Sequence, residues 1–150
     1  MRKILIIAAV AFTALFASVA DMNASDKGKV KHLTKAEFVK LVYDIDKNTE
    51  SLDYLGNKPA VVDFYADWCG PCKTLAPIFE ELSKEYEGEI DFYKVDTEKE
   101  QELAAMFGIR SIPTIMFMYT DGKEPQVVQG ALPKPQLKEV IEQVFEIKGE

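Results

Sequence analysis

The sequence is poor in cysteine and histidine. Of its 150 residues only Cys69, Cys72 and His32 belong to those two types. Two cysteines cannot build a framework of several disulfides, and a structural zinc site usually needs four ligands where this chain offers the pair and one remote imidazole. A basic excess is also missing: 18 lysines and arginines stand against 25 acidic residues, a formal charge of −7. Without the positive field that phosphate contacts favour, no nucleic-acid partner is expected. No segment recurs at a period of about 20 to 50 residues, which excludes a solenoid. Nor is there a collagen-like or low-complexity stretch, and a hydrophobic share of 47% is too high for intrinsic disorder. At this length a single core fits, and two domains do not fit comfortably.

What is present begins with a distinctive first segment. Met1, Arg2 and Lys3 make a cationic start, residues 4–16 are apolar except for Thr13, and Ser18, Val19 and Ala20 supply small residues before a cleavage point. This is the three-part pattern of a secretory signal. The competing reading is a membrane anchor, but the uncharged run at 4–20 is slightly short of the roughly 20 residues needed to cross the hydrocarbon core. No cysteine follows the run, which argues against a lipid-modified cysteine at the new N-terminus. Residues 1–20 hold two basic and no acidic residues, so removing them leaves 21–150 with a charge of −9. Residues 21–31 are polar and without aromatics, which suits a flexible leader. The expected organisation is a signal peptide at 1–20, a polar leader at 21–31 and one domain at 32–150. The expected location is an exported one such as the bacterial periplasm, with membrane contact only where the first segment stays uncleaved.

Periodicity gives the elements. Thr34 and Glu37 form a capping box, and Phe38, Leu41, Val42 and Ile45 recur with helical spacing, predicting a helix that ends near Lys47 or Asn48. Residues 48–58 are punctuated by Gly56, Asn57 and Pro59 and are expected to form an ordered loop. The apolar, β-branched run at 60–65 predicts a strand covered on both faces, with Asp63 an anomaly inside it. A helix follows from Cys72 until Gly88, with Pro77 expected to kink it. A strand at 90–96, a helix at 98–107, a strand at 114–119, an Asp121-Gly122 hairpin turn into 126–129 and a helix from Pro133 or Lys134 to Phe145 complete the pattern. The fold class is therefore α/β, a mixed sheet that is parallel where helices intervene and antiparallel at the hairpin.

The chemistry sits at Trp68-Cys69-Gly70-Pro71-Cys72. A strand-to-helix junction places Cys69 at a helix N-terminus, where unpaired N–H groups and the positive dipole end favour its thiolate. Cys69 would attack a partner disulfide, and Cys72, three positions on and expected to be the shielded member, would attack Cys69 and release the partner reduced. Pro71 fits the first helical turn, and Gly70 removes bulk where a partner approaches. Two duller readings compete. A structural disulfide across so short a loop would remove little entropy from the unfolded chain, and a metal site lacks ligands. Both are weaker than a redox pair.

Residues 62–73, Val-Asp-Phe-Tyr-Ala-Asp-Trp-Cys-Gly-Pro-Cys-Lys, closely resemble the thioredoxin active-site segment, and residues 108–114, Gly-Ile-Arg-Ser-Ile-Pro-Thr, resemble its second signature. His32-Leu33-Thr34 is similar to the family's first strand end and helix start, and Gly130-Ala131-Leu132 to its late glycine loop. The chain departs from the compact members in its export signal and in a longer region at 38–58. The resemblance implies a thioredoxin fold, a central mixed sheet with helices on both faces. It also implies that Asp63 is a buried carboxylate acting through water on the proton of Cys72, with Lys94 on the adjacent strand as its charge partner. A desolvated carboxyl in an apolar strand has its pKa raised, which suits a base near neutrality. Pro113 is implied to be cis and to face the cysteines, leaving the backbone of Ile112 free to pair with an extended peptide. Trp68, Gly70, Pro71, Ile112, Pro113 and Gly130 would form a shallow substrate groove.

The implied activity is a thiol–disulfide oxidoreductase reducing protein disulfides, with no bound cofactor or metal beyond the redox-active Cys69–Cys72 disulfide. Its partners would be protein disulfides and a membrane or soluble electron donor, and it would act as a monomer. The alternatives are an exported disulfide oxidase or isomerase, and a peptide-binding or assembly subunit in which redox chemistry is incidental. Gly70-Pro71 between the cysteines resembles the reducing members, which favours reduction.

Overall fold

A computed structural model describes residues 28–44 and 53–147. The expected signal at 1–20, most of the leader, the expected end of the first helix at 45–48 and the start of the 48–58 loop lie outside the described residues. Among the described residues the order is β1 (Lys31–His32), α1 (Lys35–Leu41), β2 (Ala60–Tyr65), α2 (Gly70–Glu85), β3 (Asp91–Asp96), α3 (Gln101–Met106), β4 (Thr114–Met118), β5 (Gln126–Gln129) and α4 (Lys134–Phe145). The strands form one sheet in the order β1-β3-β2-β4-β5, with β1 and β2 parallel to β3 and the β2–β4 and β4–β5 pairs antiparallel. The mixed sheet expected from the sequence is there. None of the described helices is long and apolar enough to cross a membrane.

Alternation along β2 assigns the layers. Ala60, Val62 and Phe64 pack with Phe38, Val42 and Leu103, which places α1 and α3 on one face. Val61 packs with Leu75, Phe79, Leu82, Leu137 and Ile141, which places α2 and α4 on the other. Asp63 and Tyr65 share the parity of Val61, so the buried carboxylate points to the face that carries α2. Sheet burial on both sides explains why 60–65 reads as a continuous apolar run. On the α2 face Phe79 is fully buried, with its ring 5.0 Å from that of Phe92. Phe79→Ala is expected to cost about 3–5 kcal/mol in denaturant unfolding, through lost burial and an unfilled cavity. A loss below about 1 kcal/mol would show that this layer does not carry the core.

Several boundaries differ from the sequence expectation, each for a local reason. The capping box at Thr34 and Glu37 is formed, but α1 stops at Leu41, well before Lys47. Tyr43 leaves the helix to bridge Tyr54, and the Val42 carbonyl accepts the Leu55 N–H at 3.0 Å, so the last turn is redirected to the following loop. The start of α3 is delayed from Glu98 to Gln101 because the Asp96 side chain accepts the N–H groups of Glu98 and Lys99, at 3.0 and 3.4 Å, and holds a turn there. Asp121-Gly122 lies inside a longer connection rather than forming a two-residue hairpin. Pro125 just before β5 has no N–H to extend the ladder, and Asp121 instead accepts the Lys123 N–H. α2 runs from Gly70 without a break through Pro77 and ends at Glu85, and Gly88 beyond it has φ of 84°, where glycine is favoured. Strand β1, which periodicity alone did not mark, is only two residues long.

Candidate active site

The last residue of β2 is Tyr65, and three residues separate it from Cys69, the N-cap of α2. Gly70 and Pro71 occupy the first helical turn, where the missing proline N–H leaves no intrahelical bond unmade. A Cβ built on Gly70 would meet nothing within 4 Å, in keeping with an open approach on that side. Cys69 and Cys72 form a disulfide, with their Cα atoms 5.2 Å apart. The Cys72 N–H donates to Cys69 Sγ at 3.2 Å, so one of the unpaired amides of the helix N-terminus is spent on that sulfur. In the reduced protein the same donor and the dipole end favour a thiolate at Cys69 over one at Cys72, which lies a turn further in.

The expected difference in shielding between the two cysteines is absent. Cys69 is 3% exposed and Cys72 2%, because Cys69 packs with Ala66 and is covered by Tyr65 and Ile112. The asymmetry of the pair lies in hydrogen bonding rather than in exposure. Next to it Trp68 is 67% exposed, an apolar surface beside a buried disulfide.

The loop before β4 faces this pair. The Ile112–Pro113 peptide is cis, and the Ile112 carbonyl oxygen lies 3.8 Å from Cys69 Sγ. Two hydrogen bonds brace the loop: Thr114 Oγ1 donates to the Ser111 carbonyl at 2.6 Å, and the Gly130 N–H donates to the Pro113 carbonyl at 2.8 Å. Gly130 has φ of 93°, a conformation that a side chain would strain. Ile112, Pro113 and Gly130 are therefore held together at the Cys69 side of the disulfide.

Asp63 is fully buried, and the register of β2 against β3 sets Lys94 directly opposite it. Lys94 Nζ is 3.5 Å from Asp63 Oδ2, while neither carboxyl oxygen accepts a hydrogen bond among the described residues. Burial pushes the Asp63 carboxyl up to about 6, and the Lys94 ammonium beside it restrains that rise. A carboxyl that changes charge near neutrality can accept and return a proton during turnover.

Sequence reasoning missed two neighbours. Tyr65 packs against the cysteine cluster, and its ring lies under the Lys94 ammonium, 4.2 Å from centroid to Nζ. His32, considered from sequence only as a distant metal ligand, has its Nδ1 3.1 Å from the Tyr65 hydroxyl. The signal available for Tyr65 was strand alternation, which sets residues 63 and 65 on one face. The contact with His32 spans three strands and leaves no trace in local sequence. Among the described residues no group of three or more His, Cys, Asp or Glu side chains is placed to hold a metal ion.

Comparison with known proteins agrees with this geometry. Residues 29–143 match the family model described as Thioredoxin. The chain is 50% identical over 113 residues to a thioredoxin of Borreliella burgdorferi, covering 75% of this chain and 95% of that protein. It is 39% identical over 133 residues to a chloroplastic M-type thioredoxin of Spinacia oleracea, covering 87% of this chain and 73% of that one. Among solved structures, a chloroplastic thioredoxin z superposes with a TM-score of 0.64 at 29% identity, over 77% of this chain and 94% of that one. A thioredoxin of Malassezia sympodialis gives 0.62 at 32% identity, over 78% and 91%.

Proposed function

This chain belongs to the thioredoxin family, and from that premise we propose that it is a net reductant of protein disulfides working outside the cytoplasm. It is a thiol–disulfide oxidoreductase, and Cys69 and Cys72 are its redox pair. The observation that carries the reading is the Cys72 N–H on Cys69 Sγ at the head of α2, which supports Cys69 as the nucleophile of the pair.

In the proposed cycle the Cys69 thiolate attacks a substrate disulfide. A Cys69–substrate S–S bond forms, the substrate S–S bond breaks, and one substrate sulfur departs as a thiolate that takes a proton from solvent. Asp63, acting through water, then accepts the proton of the Cys72 thiol, and the Cys72 sulfur attacks Cys69. The mixed disulfide breaks, the second substrate sulfur leaves as a thiolate that takes up the proton Asp63 accepted, and the enzyme is left oxidised with the two electrons on the substrate. A separate donor returns two electrons and two protons to the pair, so no bound cofactor enters. Lys94 steadies the charged form of Asp63. The extended substrate chain lies along the backbone of Ile112, with Pro113 and Gly130 beneath it and Trp68, Gly70 and Pro71 beside it. The protein acts as a monomer.

Reduction rather than oxidation is supported by Gly70-Pro71 between the cysteines, the pairing that resembles the reducing members of the family. Export is supported by the cationic and apolar pattern of residues 1–20. A redox titration in defined thiol buffers tests direction: a potential below about −230 mV agrees with a reductant, and one near −120 mV would assign an oxidant instead. Fractionation of cells expressing the full chain tests location. A protein recovered outside the cytoplasm with Asp21 at its N-terminus is the expected result, and an uncleaved cytoplasmic protein would overturn it.

A further inference from the structure

Three strands align a row of polar side chains on the α2 face of the sheet. His32 on β1 is registered with Lys94 on β3, and Lys94 with Asp63 on β2. The row runs from the exposed edge to the buried centre, and its middle member is a lysine that is only 6% exposed. A buried ammonium must be compensated, and a long, flexible stem gives it a route back to water unless something blocks the way. Tyr65 stands in that route. It is two residues past Asp63 on the same face, its ring lies 4.2 Å from Lys94 Nζ, and its hydroxyl is 3.1 Å from His32 Nδ1. With a neutral His32 whose Nδ1 carries no proton, the hydroxyl donates to the imidazole, and burial followed by the charge of Lys94 holds that imidazole below its ordinary value. The two rings also meet edge to face, with centroids 5.7 Å apart.

We propose that Tyr65 is a positioning residue: its ring, anchored at the hydroxyl by His32, keeps the Lys94 ammonium beside Asp63 and so governs when that carboxyl takes or gives its proton. The inference deepens the reductase reading and depends on it only for the catalytic consequence. Other charged groups face the cluster and must be accounted for in any titration. They are Asp96 at the end of β3, Lys99 beyond it, Asp67 in the turn before α2, and Glu80 on α2.

The test is the Asp63 carboxyl midpoint, followed by carbon NMR on the oxidised full chain, where the cysteines do not titrate. Tyr65→Leu is expected to raise the midpoint by about one pH unit, since an opposite charge within a few ångströms ordinarily lowers a carboxyl by 1 to 3 units and would now be free to leave. Tyr65→Phe, which keeps the ring, is expected to restore most of the wild-type midpoint. In a Lys94→Met background Tyr65→Leu should add nothing. An unchanged or lowered midpoint in Tyr65→Leu, or the same rise with Lys94 absent, would overturn the proposal. The wild-type protein provides a readout that needs no substitution: the Lys94 ε-methylene protons should be shifted upfield by the Tyr65 ring current, and ordinary lysine resonances there would also overturn it. None of these measurements requires turnover. Failure of the reductase reading would appear separately, as absence of disulfide reduction with the midpoint shifts intact.

Discussion

Cys69→Ser is expected to reduce a test protein disulfide no faster than the chemical electron donor does alone, whereas Cys72→Ser is expected to react once and stop as a mixed disulfide. That contrast follows from where the two sulfurs sit. Both are almost completely buried in the oxidised protein, so access alone does not choose between them. The choice comes from the amide of Cys72, which points at Cys69 Sγ from 3.2 Å. An amide donor favours the thiolate, and the thiolate is the attacking species. Serine at 69 removes the nucleophile outright. Serine at 72 leaves attack intact but removes the sulfur that must break the intermediate, and no third thiol exists in the chain to replace it. Mass spectrometry of each variant after exposure to the disulfide substrate checks the assignment. A stable adduct on Cys72 in Cys69→Ser, with none on Cys69 in Cys72→Ser, would reverse the two roles.

Much of this arrangement was readable from the residues, and the parts that were not share a cause. Strand β2, with its apolar run and its one acid, was legible because burial on both faces leaves a composition that has no other simple explanation. The N-terminal position of Cys69 was legible because a strand, a turn and a helical stripe follow one another within a few residues. Lys94 could be paired with Asp63 only through the family resemblance, because the register of β2 on β3 is a relation between strands some thirty residues apart. The early end of α1 was hidden for the same reason: Tyr43 obeys a bridge to Tyr54, not the helical period that Phe38 and Val42 continue. Equal burial of the cysteines was hidden too, since the covering side chains Tyr65 and Ile112 arrive from different segments. Local pattern fixes which elements form. Contacts across the sheet decide which side chains share charge, and the proton chemistry of this site depends on those contacts.

The Asp63 carboxyl makes the largest of those contacts measurable as stability. Its pKa in the folded, oxidised protein is pushed up to about 6 by burial, against an ordinary value of 3.8. Between those two values the folded chain holds a proton that the unfolded chain has released. Stability therefore falls as pH rises through the window and levels off above it, with the benefit fully present only below the ordinary value. The separation corresponds to about 3 kcal/mol over the whole window, of which about 2.4 kcal/mol falls between pH 4 and pH 8. Asp63→Asn keeps the shape and removes the ionisation, so it should abolish that slope. At pH 4 the variant should differ from wild type only by whatever its buried amide leaves unpaired, an offset of about 1–3 kcal/mol. By pH 8 it should have gained about 2.4 kcal/mol relative to that starting difference, as read from urea unfolding of the oxidised proteins. The same substitution should slow resolution of the mixed disulfide by roughly one to two orders of magnitude, somewhat below the usual worth of a directly placed general base because the proton travels through water. It should also remove the inflection near pH 6 from the resolution rate. Stability and rate then move in opposite directions from one substitution, which is the expected mark of a charge kept in the core for its chemistry. A variant whose stability tracks wild type across the pH range would show that Asp63 does not ionise in this window, and the proton would have to be assigned to another group.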